Sequence, residues 1–73
     1  MLDELSTVVL TEDLPEYGLR VGDLGTIVLV HAGKGYEVEF MTLDGETIAV
    51  ASLRPQQVRT VGKGEVAQAR VLE

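Results

Sequence analysis

The sequence predicts an all-β fold, with five short strands curled around one small core. Three observations carry that prediction. Val, Ile, Thr, Leu, Tyr and Phe come in short runs separated by Gly, Pro and Asp, the pattern of strands punctuated by turns. "YEVEFMT" (Tyr36 to Thr42) alternates apolar and charged residues at period two, as a strand with one wet face does. Asp44-Gly45 stands between two β-forming runs, a strong short hairpin signal.

The elements follow in chain order. "STVVLT" (Ser6 to Thr11) reads as a first strand. "EDLPEYGLRVGD" (Glu12 to Asp23) is a long, turn-rich loop in which Pro15 turns Leu14 away from helix and Gly18 and Gly22 supply positive φ. "LGTIVLVH" (Leu24 to His31) is apolar in both phases, with Ile27 and Leu29 on one side and Val28 and Val30 on the other. It reads as a strand covered on both faces, by its own barrel or by a second chain. "AGKG" (Ala32 to Gly35) makes a hairpin, and Tyr36, Val38 and Phe40 then face the core while Glu37 and Glu39 face water. "ETIAVAS" (Glu46 to Ser52) continues the meander, with Ile48 and Val50 expected inward. Pro55 in "LRPQQ" suits the first position of a short 3-10 turn. "VRTV" (Val58 to Val61) is the last strand.

Five strands, one long first loop, two tight hairpins and a 3-10 turn before the last strand describe a small SH3-like five-stranded barrel. Residues 1–61 form that domain. Residues 62–73, opened by Gly62 and Gly64, are expected as an extra strand, a docked segment or a partly disordered tail.

Composition narrows function. Twelve acids against six Lys plus Arg set a formal charge of −6, and such a surface repels phosphate backbones and anionic lipids. The chain has no cysteine, so disulfides and thiolate metal sites are out of reach. No apolar run approaches the roughly 20 residues of a membrane-spanning helix, and the acidic first residues are unlike a signal peptide. A cytoplasmic location is expected, without a cofactor or metal.

No catalytic constellation is visible. "GDLG" and "GKG" match neither the P-loop nor the dinucleotide fingerprint. His31 is the only histidine, and an imidazole needs an orienting partner and a substrate cleft to act. Ser6 and Ser52 lack a nucleophile-elbow context. The acids of the first loop match no EF-hand spacing. The candidate protein-binding residues are therefore Glu12, Asp13, Glu16 and Tyr17 of that loop with Glu37 and Glu39 of the third strand. Arg54, Arg59 and Lys63 are the candidates for a nucleic-acid strip.

The pieces "DLPEYGL", "GDLGTIV", "YEVEF" and "LRPQQV" together resemble the short bacterial proteins grouped as domain-of-unknown-function family 4926, over about Thr7 to Arg59. The resemblance implies an SH3-like barrel and no established activity. It also implies a small cytosolic accessory protein, encoded beside a toxin or another larger protein. "GDLGTIVLV" is similar to the KOW motif of ribosomal and transcription-elongation proteins, but acids stand where KOW modules carry basic residues. A similar "G-D-x-G" barrel helps to close the active site of nitrile hydratase.

The expected function is a non-enzymatic protein-interaction or accessory module, of which an antitoxin-like or regulatory partner of a larger protein is one form. A KOW-like nucleic-acid-binding module is the second reading. A homodimer is expected as well, because the double-sided apolar strand and the apolar tail both want cover.

Overall fold

The structure, a computed structural model, describes residues 2–72. Its strands are β1 (Thr7–Leu10), β2 (Leu24–His31), β3 (Gly35–Met41), β4 (Thr47–Leu53) and β5 (Val58–Thr60), with 3-10 turns at Pro15–Tyr17 and Pro55–Gln57. All pairings are antiparallel, in the order β4-β3-β2-β1-β5. The all-β class, the five strands and the 3-10 turn before the last strand are as the sequence predicts. Closure is not complete: β4 and β5 do not pair, so the sheet curls around its core with two open edges.

One core fills the concave side. Val8, Leu10, Leu14, Leu19, Ile27, Tyr36, Val38, Phe40, Ala51, Leu53 and Val58 form a single buried cluster. Sheet pairing explains which residues enter it. Ile27, Val38 and Ala51 lie in one cross-strand row, and Val30, Tyr36 and Leu53 in another. Leu14 and Leu19 reach the same core from the first loop. They exchange two backbone hydrogen bonds of 2.9 and 3.1 Å, which close that loop into a compact hairpin. Asp13 Oδ1 accepts the Val21 N–H at 2.9 Å and pins its return limb.

Two expectations about facing are corrected. The register shifts between Ile27 and Leu29, so Val28 is an extra residue on β2 and the alternation resets beyond it. Val30 therefore packs on the core, while Leu29 is turned outward beside Glu37. Ile27 and Leu29 do not share a face, and β2 is not buried on both sides. The strand with no exposed residue after its first is β1, where Val8, Val9 and Leu10 are all buried.

The second correction concerns β4. Val38 pairs with Ala51 and Glu39 with Val50, so Ala49, Ala51 and Leu53 take the inner phase. Val50 lies in the outer phase and is 52% exposed, while a register shift between Phe40 and Met41 leaves Ile48 as an extra residue with no partner on β3. Residues directly opposite on neighbouring strands share a face, and the strongly patterned β3 decides the phase for its less patterned neighbour. Small alanines fit because Phe40 and Val38 already occupy that part of the core.

Two glycines set the closeness of packing. A Cβ on Gly25 would lie 2.6 Å from Val38 Cγ1, and one on Gly35 would lie 2.2 Å from the Leu53 carbonyl oxygen. Gly35 also has a φ of +138°. Gly35→Ala is expected to cost about 3 kcal/mol from overpacking against backbone. Gly33→Ala, at φ +72° with nothing nearby, should cost only about 1 kcal/mol. Urea unfolding of the two variants measures the difference.

Candidate interaction surface

The outer face of β2, β3 and β4 holds two rows that alternate with the core rows. Leu29, Glu37 and Ser52 form one, and Thr26, Glu39 and Val50 the other. Val28, Leu29, Met41 and Val50 are all exposed here. The bulge at Val28 and the outward phase of Val50 thus lay apolar side chains around two carboxylates.

Those carboxylates are oriented by their neighbours. Ser52 Oγ donates to Glu37 Oε2 at 2.6 Å, and His31 Nε2 lies 2.7 Å from the same oxygen. Thr47 Oγ1 donates to Glu39 Oε2 at 2.7 Å. Among the described residues, Oε1 of each glutamate has no hydrogen-bond partner. The Ser52 hydroxyl, then the His31 ring, hold the Glu37 carboxyl below its ordinary range. Glu37 therefore remains an anion at neutral pH.

His31, Glu37 and Ser52 are three residue types found in hydrolases, but their order here is different. Glutamate sits between the other two and accepts the Ser52 hydroxyl's hydrogen bond itself. Nucleophilic catalysis places the imidazole against the hydroxyl. The nearby depression, lined by Val30, His31, Gly33, Gly35, Tyr36 and Pro55, has a volume of about 140 Å³, below the usual span of small-molecule sites.

The first-loop candidates lie in a different setting. Asp13 is engaged with the Val21 N–H, and Glu12 Oε2 accepts from Gln57 Nε2 at 3.1 Å. Gln57, buried and missed by sequence reasoning, also accepts the Arg54 N–H at 2.7 Å. Glu12 and Asp13 thus hold the loop in shape. Glu16 and Tyr17 are exposed on its 3-10 turn. Among the described residues, no hydrogen bond or ion pair joins this loop to Glu37 or Glu39.

The basic candidates are also divided. Arg59 makes a bidentate pair with Glu65, each contact 2.7 Å. That pair, and the Gly62 N–H donated to Glu65, bring the Glu65 carboxyl down to about 2. Arg54 and Lys63 are exposed. Residues 61–72 contain no strand. Their second tie is Arg70, whose Nε donates to Asp23 Oδ1 at 2.9 Å and whose Nη2 reaches Asp23 Oδ2 and the Gly18 carbonyl. Burial pushes the Asp23 carboxyl up, but the Arg70 hydrogen bonds, the Arg20 N–H and both guanidinium charges outweigh it and leave it lowered.

Among the described residues, no group of three or more His, Cys, Asp or Glu could hold a metal ion. No helix there is long and apolar enough to cross a membrane.

Lowered carboxyls stabilise the fold above their unfolded values, and that contribution is lost as pH falls through the folded values. At neutral pH both tail ties are intact. Acidification should release the Arg70–Asp23 tie as pH falls through the lowered Asp23 value, and the Arg59–Glu65 tie as it falls through about 2. NMR titration of the two carboxyls reads both steps. Arg59→Gln should return the Glu65 value toward its ordinary range.

The sequence model of a family described as "Domain of unknown function (DUF4926)" matches residues 4–60, from just before β1 to the end of β5. No curated protein and no solved structure matches the chain.

Proposed function

We propose that this chain, which belongs to the DUF4926 family, is a non-enzymatic protein-interaction module of the cytoplasm. Its contact surface is the outer face of β2, β3 and β4. The observation that supports this reading is the exposure of Val28, Leu29, Met41 and Val50 around the oriented carboxylates of Glu37 and Glu39. A contiguous apolar patch with polar groups set into it is the usual form of a protein contact. The partner is a protein that presents a Lys or Arg among apolar side chains. The cation meets the open Oε1 atoms, and the apolar groups cover Leu29 and Val50. An antitoxin-like or regulatory partner of a larger protein would use such a face.

Glu16 and Tyr17 remain a secondary contact on the first loop, while Glu12 and Asp13 serve the loop itself. A nucleic-acid reading through Arg54, Arg59 and Lys63 draws less support, because Arg59 is already neutralised by Glu65.

Photo-crosslinking tests the assignment. A crosslinker in place of Leu29 should yield a specific adduct in native lysate, whereas one in place of Tyr17 should yield less. The double variant Glu37→Lys, Glu39→Lys should lose that adduct at least tenfold while the chain stays folded. Adducts at Tyr17 that ignore the charge reversal would move the surface to the first loop.

A further inference from the structure

The two open edges of the sheet differ. β5 is three residues long, carries Arg59 and is followed by the Gly62–Glu65 turn that Arg59 holds. Short, charged edges resist pairing with other chains. β4 has neither safeguard. Thr47–Leu53 is seven residues long and contains no charge and no proline. Among the described residues, no other strand pairs with its outer edge. An edge of that kind is a template for strand addition.

The composition of β4 indicates what adds to it. Around Val50 the strand reads Ile-Ala-Val-Ala-Ser. In an antiparallel pair of two copies centred on Val50, each residue meets the one equally far on the other side. Val50 then faces Val50 of the second copy and Ala49 faces Ala51, all within the stretch of β4 that is in unbroken register with β3. Inner-phase residues meet inner-phase residues, so neither core is opened. The outer-phase valines, exposed in one chain, cover each other across the two-fold axis, where close pairs of β-branched side chains are favourable.

Charge separates this arrangement from a face-to-face stack. Stacking two outer faces would press Glu37 and Glu39 against their copies. Edge pairing keeps them apart, because β3 and its copy are three strand spacings from each other. At about 4.8 Å per spacing that is roughly 14 Å, beyond the Debye length of about 8 Å in physiological salt. We propose that β4 is a self-recognition edge, and that two copies of this chain join antiparallel through it about Val50 into one continuous ten-stranded sheet. This pairing does not depend on the partner reading above. It would set two of the proposed contact faces side by side on one sheet.

The chain has no cysteine, so an introduced one reports on the register without interference. Residues facing each other across an antiparallel pair have Cα atoms about 4.5–5.5 Å apart, within disulfide reach. In the full chain, Val50→Cys should oxidise to a covalent dimer. Ser52→Cys alone should not, since it lies two residues from the two-fold axis and does not face its own copy.

Without cysteines, sedimentation equilibrium should show dimer rising with concentration and with added salt. Val50→Lys, which sets two ammonium groups opposite each other at a site that is exposed in the monomer, should weaken it at least tenfold. Circular dichroism checks that this variant stays folded. Leu29→Lys, two strands inward on the same face, should leave the dimer within twofold of the parent. Three results would overturn the proposal: a folded Val50→Cys chain that stays monomeric under oxidation, equal cross-linking at position 52 alone, or a dimer lost through Leu29→Lys.

Discussion

The register of β2 and β4 against β3 governs this small molecule. β3 is the strand whose pattern is unambiguous: Tyr36, Val38 and Phe40 are buried, and Glu37 and Glu39 alternate with them. Two carboxylates cannot enter an apolar core without partners except at a large desolvation cost. That cost fixes the facing of β3, and cross-strand pairing transmits it outward. Ala51 must accompany Val38, so Val50 must accompany Glu39. On the other flank, β2 reconciles its apolar run with the same constraint by inserting Val28 as a bulge.

That transmission explains where sequence reasoning succeeds and where it stops. Strand positions were legible because β-branched runs end at Gly, Pro and Asp. The faces of β3 were legible because charge alternates there. The faces of β2 and β4 were not, since "TIVLV" and "TIAVA" are apolar in both phases. An apolar run says that a strand is compatible with burial, not which of its sides is buried. Leu29 and Val50, which the candidate surface needs, fall in those two strands. Gln57 was illegible for a different reason, because its partners Glu12 and Arg54 are assembled only by folding. The first-loop acids were visible as acids, but loop closure assigns Asp13 to a backbone N–H rather than to a partner.

Economy of polar groups is a second theme. With a small core, the chain uses side-chain hydrogen bonds where ladders end. Asp13, Asp23 and Gln57 each satisfy a backbone N–H outside a regular pairing, and no buried side-chain nitrogen or oxygen among the described residues is left without a partner. Buried polar groups that find partners retain most of the stability that apolar burial supplies. The outer face follows a different rule. Ser52, Thr47 and His31 orient Glu37 and Glu39 while leaving them wet, which keeps the carboxylates charged and in a defined direction.

Among the described residues, the segment after β5 is attached by side-chain pins and by no ladder: Glu65 to Arg59, and Arg70 to Asp23 and the Gly18 carbonyl. A strand held by backbone pairing accepts an added residue only as a bulge, because otherwise every side chain beyond it turns over. A pinned segment has no such phase. Insertions between Glu65 and Arg70 would enlarge a loop whose closure entropy rises only logarithmically with its length. This stretch can therefore drift in sequence and size while the sheet beneath it keeps its register, so relatives of this chain have room to vary here at little thermodynamic penalty.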